Sequence, residues 1–317
     1  MQIIKDINDF EYDKKSVVTV GTFDGIHLGH LEIIEKLNSI KKEKSLRSVV
    51  VTFEPHPQIV LRNKAKDIKI LTTLDDKLYI FKSLSIDIVY VINFTKEFAN
   101  TTAEDFYKNY LIDKIGLNDL VLGYDHMFGK NREGNLDTLK ILSQNYDFKV
   151  DKVDEFKING EHISSTVIRK LLAEEGNVDK VRRILGRYYS IEGKVVEGKK
   201  LGKDLGYPTA NIEVSSGLKL IPKIGIYAVS IEIDGKLYSG MMSIGKNPTV
   251  SFDDSIKVEV NIFDFDENIY GKIIKVNFIN YIRDEKKFDS LEELKKQMSL
   301  DKEVSLKQIT EINNINN

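Results

Sequence analysis

The pattern of apolar residues changes kind partway along this chain, and that change limits the fold more than any other feature of the sequence. Before about Gly186, apolar strand-like runs alternate with helical patterns. Val17 to Val20, Ser48 to Phe53, Ile86 to Phe94 and Leu120 to Tyr124 read as strands, and Leu31 to Lys42 and Ala103 to Ile115 as helices. Such alternation predicts an α/β domain, a parallel sheet covered by helices. After Gly186 the chain reads mostly as strands: Ser190 to Val196, Ile226 to Ile233, Leu237 to Ile244, Lys257 to Phe265 and Lys272 to Ile282. Asp234-Gly235 between two of them is a hairpin signal. A helical stretch from Leu291 to about Ile312 follows, and Asn313 to Asn317 are expected to fray. The second half therefore predicts an antiparallel β-barrel closed by one long helix, since closure removes exposed sheet edges. Gly186 stands where the C′ glycine of a helix Val178 to Leu185 belongs, so the domains are expected to be 1–185 and 186–317.

A chain of 317 residues is long enough for two domains with separate cores. Its net charge of -2 gives no general attraction to nucleic acid or to an anionic membrane, so the expected partners are small molecules. There is no cysteine, which excludes disulfides, thiolate metal sites and cysteine nucleophiles and fits a reducing compartment. No apolar run approaches membrane-spanning length, and Met1 to Phe10 mixes charged with apolar residues where a signal peptide needs an apolar core. A cytoplasmic location is expected. Oligomeric state has no signature in the sequence.

The chemistry concentrates where the strand Val17 to Val20 turns into a helix, at Gly21-Thr22-Phe23-Asp24-Gly25-Ile26-His27-Leu28-Gly29-His30. Glycine lets the backbone approach a ligand, and a helix start offers N–H groups and a positive dipole end to an anion. His27 and His30, three apart, share a face once the helix has begun. A metal on Asp24, His27 and His30 is the alternative, but the flanking glycines suit an anion better and no cysteine or further histidine cluster completes a metal site. Ile163-Ser164-Ser165-Thr166-Val167-Ile168-Arg169 is a second candidate for polyphosphate, with an ordinary helix N-cap as its bland reading.

The barrel half carries its own signal. Between Gly198 and Gly206 glycines alternate with Lys199, Lys200 and Lys203 around Gly202, and Tyr207-Pro208-Thr209-Ala210-Asn211 follows at once. This is either a loop over phosphates or a surface loop before a proline turn. Thr209 and Asn211 are two apart, so in an extended segment both point the same way and could hold Mg²⁺. Glu259 lies in a strand whose alternation puts Lys257, Glu259 and Asn261 on one face and Val258, Val260 and Ile262 on the other. A carboxylate there is either a general base toward a substrate hydroxyl or one charge on a solvated strand face.

With these residues in view, the chain resembles the bacterial bifunctional riboflavin kinase/FMN adenylyltransferases, the bifunctional FAD synthetases. The likeness runs through Gly21 to His30, Thr52-Phe53-Glu54-Pro55-His56-Pro57, Gly123 to Gly134, Ile163 to Arg169, Leu185 to Tyr189, Gly202 to Ile212, Gly225-Ile226-Tyr227-Ala228, Ile244 to Thr249 and Glu259 to Gly271, in family order. The resemblance implies a Rossmann-like nucleotidyltransferase domain and a riboflavin kinase barrel. It implies phosphorylation of riboflavin to FMN by ATP, then adenylylation of FMN to FAD with release of pyrophosphate, both with Mg²⁺. By the same resemblance, Gly21, Phe23, Asp24, His27, His30, Ser164, Ser165, Thr166 and Arg169 bind ATP for adenylylation, with His27 and His30 catalytic. Asp125, Phe128, Gly129 and Arg132 hold its flavin. Gly198, Gly202, Lys203, Gly206, Pro208, Thr209 and Asn211 bind the kinase ATP, Thr209 and Asn211 with the metal, and Glu259 is the base.

Four positions depart from the family pattern: His126 for Phe, Tyr188 for Pro, Lys203 for Arg and Asn261 for His. Lys203 replaces a planar fork by a point charge, which bears on nucleotide affinity. His126 bears on flavin packing and Tyr188 on the link between domains. The rival readings are a chain with one active and one merely binding domain, a flavin-sensing regulator, and a nucleotidyltransferase for another substrate. A binding module needs neither a base at Glu259 nor a histidine pair, and the last rival leaves the barrel unexplained.

Overall fold

Ser16–Val20 (β2) is buried at all five positions, which requires cover on both faces of the strand. The computed structural model of the chain describes residues 1–61, 68–124, 129, 134–198, 206–246 and 256–315. In it β2 lies among Gln2–Ile4 (β1), Arg47–Glu54 (β3), Ile88–Asn93 (β4), Leu117–Gly123 (β5) and Lys149–Val153 (β6). The six strands form a parallel sheet of order β1-β4-β3-β2-β5-β6. Alternation sends Val17, Val50, Val89 and Val121 into one core with Ile34, Leu37 and Ile40 of Leu28–Lys44 (α1) and Phe81 of Leu74–Ser83 (α2). Val18, Val49, Val51 and Leu120 enter the other core with Phe106, Tyr107 and Leu111.

The helix expected over Ala103 to Ile115 is present with a change of winding: Ala103–Phe106 (α3) is α-helical and Tyr107–Ile115 continues as a π-helix. Nothing in the residue pattern accounts for the wider turns. Two helices of ten residues or more among those described escaped the periodicity reading. The first is α2, marked by a capping box in which Thr73 and Asp76 each accept from the other's backbone N–H. The second, Leu136–Tyr146 (α4), starts at Asn135, whose side chain caps the N–H groups of Asp137 and Thr138.

The chain parts into two compact units, Met1–Ser165 and Thr166–Asn317. In the second, Val178–Leu185 (α5) ends as expected at Gly186, with φ of 70°. Its buried residues include Val181 and Ile184, and it lies on Ile273–Arg283 (β12). The remaining strands are Ser190–Val196 (β7), Ala210–Val214 (β8), Gly225–Ile233 (β9), Lys236–Lys246 (β10) and Ile256–Ile262 (β11). They close an antiparallel barrel of order β8-β11-β10-β9-β12-β7. Asp234 and Gly235 both have positive φ, 48° and 78°, as a two-residue hairpin turn requires. Leu291–Ile315 (α6) packs on the barrel, its Ile309 against Ala228 and Ile279. Arg283 grips the buried carboxylate of Asp301 with its Nε at 2.9 Å and its Nη2 at 2.6 Å. The helix continues through Asn313 and Asn314 to Ile315, where the sequence predicts fraying; residues 316–317 lie outside the described residues. Tyr188, expected to bear on the link between domains, packs against that same Ala228–Ile279–Ile309 cluster.

Candidate functional sites

Strand order reverses between β2 and β5, and at such a switch point the loop beyond the strand ends is open to a ligand. The Gly21–His30 segment occupies that place. Three of its residues take left-handed backbone, Phe23 at 48°, Gly25 at 90° and Ile26 at 39°. For the two non-glycine residues this costs roughly 1–3 kcal/mol each. It is held by burial, since Phe23 and Ile26 are 1% and 0% exposed. His27 is the cap residue of α1, and its side chain does not cap the helix, which suits a helix start that receives a ligand. The His27 and His30 rings stack with centroids 3.9 Å apart, so the pair expected from spacing is formed. A Cβ at Gly29 would stand 3.3 Å from the His27 ring, so glycine there lets the ring settle against the helix.

Asp24 has a part that the sequence does not reveal. It is 1% exposed, and its Oδ1 accepts from Leu71 N at 2.8 Å, Thr72 N at 3.0 Å and Thr72 Oγ1 at 3.2 Å. Thr72 Oγ1 accepts in turn from Gly25 N at 2.9 Å, and Ser165 Oγ donates to the Asp24 carbonyl at 2.7 Å. Asp24 is thus a tie between the loop and the residues that lead into α2. Lys77 on α2 is 2% exposed. Burial lowers its ammonium below lysine's ordinary value, with Asp24 and Glu54 acting in the other direction. Burial raises the Glu54 carboxyl, which Lys77 opposes. Among the described residues no group of three or more histidines and carboxylates is arranged to hold a metal ion.

Tyr124, just beyond β5, brings its hydroxyl to 3.3 Å from both ring nitrogens of His162, and His162 Nδ1 lies 2.6 Å from Glu155 Oε1. This cluster carried no sequence signal, because Tyr124 is distant in the chain from Glu155 and His162 and the three match no motif. Gly129, with φ of 82°, passes close to Ala103. Asp125, His126, Phe128 and Arg132 lie outside the described residues. Thr166 and Arg169 belong to the second unit, in the short helix Ser165–Lys170, while Ser164 belongs to the first.

On the barrel, strand register assembles the second site. Asn211 of β8 pairs with Glu259 of β11, and Glu259 pairs on its other side with Ser243 of β10. Directly opposite residues share a face, with Cβ atoms roughly 4.5–5.5 Å apart. The burial pattern agrees: Ile212, Val258, Val260 and Ile262 are buried, while Asn211 and Glu259 are partly exposed. Lys257 Nζ forms an ion pair with Glu259 Oε1 at 2.8 Å. Gly198 closes over the site: a Cβ there would fall 1.9 Å from Asn211 Nδ2, so a side chain at 198 displaces the Asn211 amide. Thr209 immediately precedes β8, and Gly206 has φ of 81°. Lys199, Lys200, Gly202 and Lys203 lie outside the described residues. Asn261 is 5% exposed although it shares a strand face with Glu259, because its Nδ2 donates to the Pro208 carbonyl at 2.7 Å.

A parallel sheet with a histidine pair at its switch point, and a closed barrel in which Glu259 faces Asn211 across a strand pair, are the two candidate sites of the chain. Two family models match the chain, FAD synthetase over residues 9–167 and riboflavin kinase over residues 185–309. The chain is 38% identical to the bifunctional riboflavin kinase/FMN adenylyltransferase of Listeria monocytogenes, over 92% of its own length and 91% of that protein's. It is 35% identical to the Bacillus subtilis enzyme of the same description, over 94% and 93%. The chain belongs to the bifunctional riboflavin kinase/FMN adenylyltransferase family. A solved structure described as a macrolide-efflux protein from Streptococcus pneumoniae matches with a TM-score of 0.87 and 34% identity, covering 96% of this chain and 97% of that one. Among the described residues, no helix is long and apolar enough to cross a membrane.

Proposed function

We propose that this chain makes FMN from riboflavin and ATP on its barrel, and FAD from FMN and ATP at the switch point of its sheet. The observation that carries the reading is the cross-strand pairing of Asn211 with Glu259 on the barrel, in a chain whose other half carries the stacked histidine pair. Kinase activity is assigned to residues 186–317 and adenylylation to residues 1–185, a division supported by the two matched stretches.

In the kinase step Glu259 takes the proton of the riboflavin 5′-hydroxyl as that oxygen attacks the γ-phosphorus, and ADP leaves. Lys257 engages Oε1 of the carboxylate and so fixes its orientation on the strand. The hard, neutral oxygens of Thr209 and Asn211 suit Mg²⁺, and the glycine at 198 leaves the Asn211 amide the space it needs. Mg²⁺ held there would offset phosphate charge. In the second step an FMN phosphate oxygen attacks the α-phosphorus of ATP and pyrophosphate leaves. His27 and His30, with the N–H groups at the start of α1, stabilise charge on the phosphate oxygens. Gly21, Phe23 and Asp24 shape that loop, and Ser164 and Ser165 bind the triphosphate with it. Asp125, Phe128, Gly129 and Arg132 receive the flavin. The reading includes a cytoplasmic location, which the absence of cysteine supports.

The pure protein incubated with riboflavin, ATP and Mg²⁺, with the flavins separated by chromatography, tests this. FMN and FAD both appear, and chelation of Mg²⁺ stops both. Riboflavin that persists unchanged overturns the kinase assignment, and FMN that accumulates without FAD overturns the adenylylation assignment.

A further inference from the structure

Asn261 stands where the family pattern has histidine, and the reaction described above gives it no part. Its surroundings do. The residue lies two positions after Glu259 on the same outward face of β11, a face that is open to solvent at Lys257 and Glu259. At position 261 the face is covered, because the backbone before β8 lies over it. A carbonyl oxygen only accepts, so the 2.7 Å contact with Pro208 O identifies the Asn261 group there as the NH₂ donor. Asn261 is itself buried, so its amide would be costly to leave without an acceptor, and the bond is therefore a positional restraint on Pro208. The next residue is Thr209, and Asn211 follows within β8 as the cross-strand neighbour of Glu259.

We propose that Asn261 is a positioning residue of the kinase site, pinning the Pro208 carbonyl so that Thr209 and Asn211 meet the metal-bound nucleotide beside Glu259. The inference rests on the kinase reading of the barrel. Asn261 touches neither substrate nor metal; it acts through one backbone carbonyl. It also couples the two strands that supply the base and the metal ligands, so that both are set by one hydrogen bond as well as by ladder register. The role asks for an N–H donor and not for a charge, which is why an amide can serve where histidine is usual: a neutral imidazole also carries one N–H.

Three full-length variants test it. Asn261→Asp keeps the size, loses the donor and sets a carboxylate against the carbonyl; Asn261→Leu removes the donor without charge; Asn261→His restores an N–H. Riboflavin phosphorylation is measured against ATP and Mg²⁺ concentration, and amide hydrogen exchange is followed over residues 206–214. For Asn261→Asp and Asn261→Leu the expected result is a rise of about tenfold or more in the KM for ATP and in the half-saturating Mg²⁺, with kcat changed less, and faster exchange confined to that segment. Asn261→His is expected within about threefold of the parent protein. FAD formation from supplied FMN stays at the parent rate in all three and reports that the chain is intact. Parent-like ATP and Mg²⁺ saturation with parent-like exchange in Asn261→Asp overturns the proposal. So does a loss of kcat alone with saturation unchanged, the signature of a merely structural residue. A parent protein that makes no FMN condemns the kinase reading instead.

Discussion

His30 stacks on His27 and also lies within 5.2 Å of the Phe23 ring, so its removal takes away a donor and a wall of the loop together. His30→Ala is expected to slow FAD formation about a hundredfold while FMN formation stays near the parent rate. Chromatography of both products checks this, and equal loss of both in a folded protein excludes two separate sites. Glu259→Gln keeps the shape of the side chain but cannot accept a proton. Riboflavin phosphorylation is expected to fall by about a hundredfold or more, mainly in kcat, with FAD formation from supplied FMN intact. Unchanged kinase turnover returns Glu259 to an ordinary residue of a solvated strand face. The histidine pair was legible because both residues sit within one helical turn, and Glu259 because strand alternation separates it from Val258 and Val260. The sequence marks Asp24 as a candidate ligand-binding residue but gives no sign of its bonds to Leu71 and Thr72. Backbone N–H groups carry no residue signature, and those donors are distant in the chain. The Asn261–Pro208 bond escaped in a similar way, because the accepting backbone carbonyl carries no residue signature and is distant in the chain.

Asp87 joins three elements at the amino-terminal edge of the sheet. Its carboxylate accepts from the N–H and hydroxyl of Ser48 at the start of β3, at 2.8 and 3.0 Å, and from Lys41 of α1 at 2.8 Å, just before β4 begins. Burial pulls its pKa upward, but the bonds from Lys41 and Ser48 outweigh that and hold it below the usual aspartate value. A carboxylate with a depressed folded-state pKa contributes stability above its unfolded pKa, about 3.9 for aspartate, and that contribution fades as the pH falls through the folded value. The melting temperature of the parent protein is therefore expected to fall more steeply below about pH 4 than that of Asp87→Asn. At neutral pH the substitution should cost about 1 kcal/mol, a figure kept small by solvent screening at a side chain 41% exposed. Parallel acid-titration curves for the two proteins exclude the tie. Elements were most legible where burial follows one period, as in β7, whose bounds match the expected Ser190 to Val196. β6 escapes because it is an edge strand with little buried surface, and β8 because Ala210 to Val214 continues directly from the glycine- and lysine-rich loop segment.

The two units part at Ser165 and Thr166, so the segment that leads to Gly186 packs with the barrel. Lys223 N donates to Leu172 O at 2.8 Å, and Gly176 fits closely against Tyr227 and Tyr281. A fragment of residues 186–317 has a closed barrel but lacks this cover, and each large apolar side chain removed forfeits about 1.5–3 kcal/mol of burial. A fragment of residues 166–317 is expected to melt at a clearly higher temperature, and both to phosphorylate riboflavin. Calorimetry and the flavin assay check this; equal melting temperatures would show that residues 166–185 add no stability to the barrel. The change from alternating to strand-only pattern made the two-part architecture legible from sequence. The grouping of that helical segment was not, since a helix pattern names an apolar face without naming what covers it.

Asn211 and Glu259 come from strands that are remote in the chain and stand opposite each other through ladder register. A slip of a single residue turns Glu259 into the apolar interior and Val258 or Val260 outward. On the proposed assignment of Glu259 and Asn211, phosphoryl transfer is also a proofreading signal for folding. On that assignment a barrel that has collapsed but mispaired makes no FMN, and the first molecule of FMN reports that Asn211 has met Glu259.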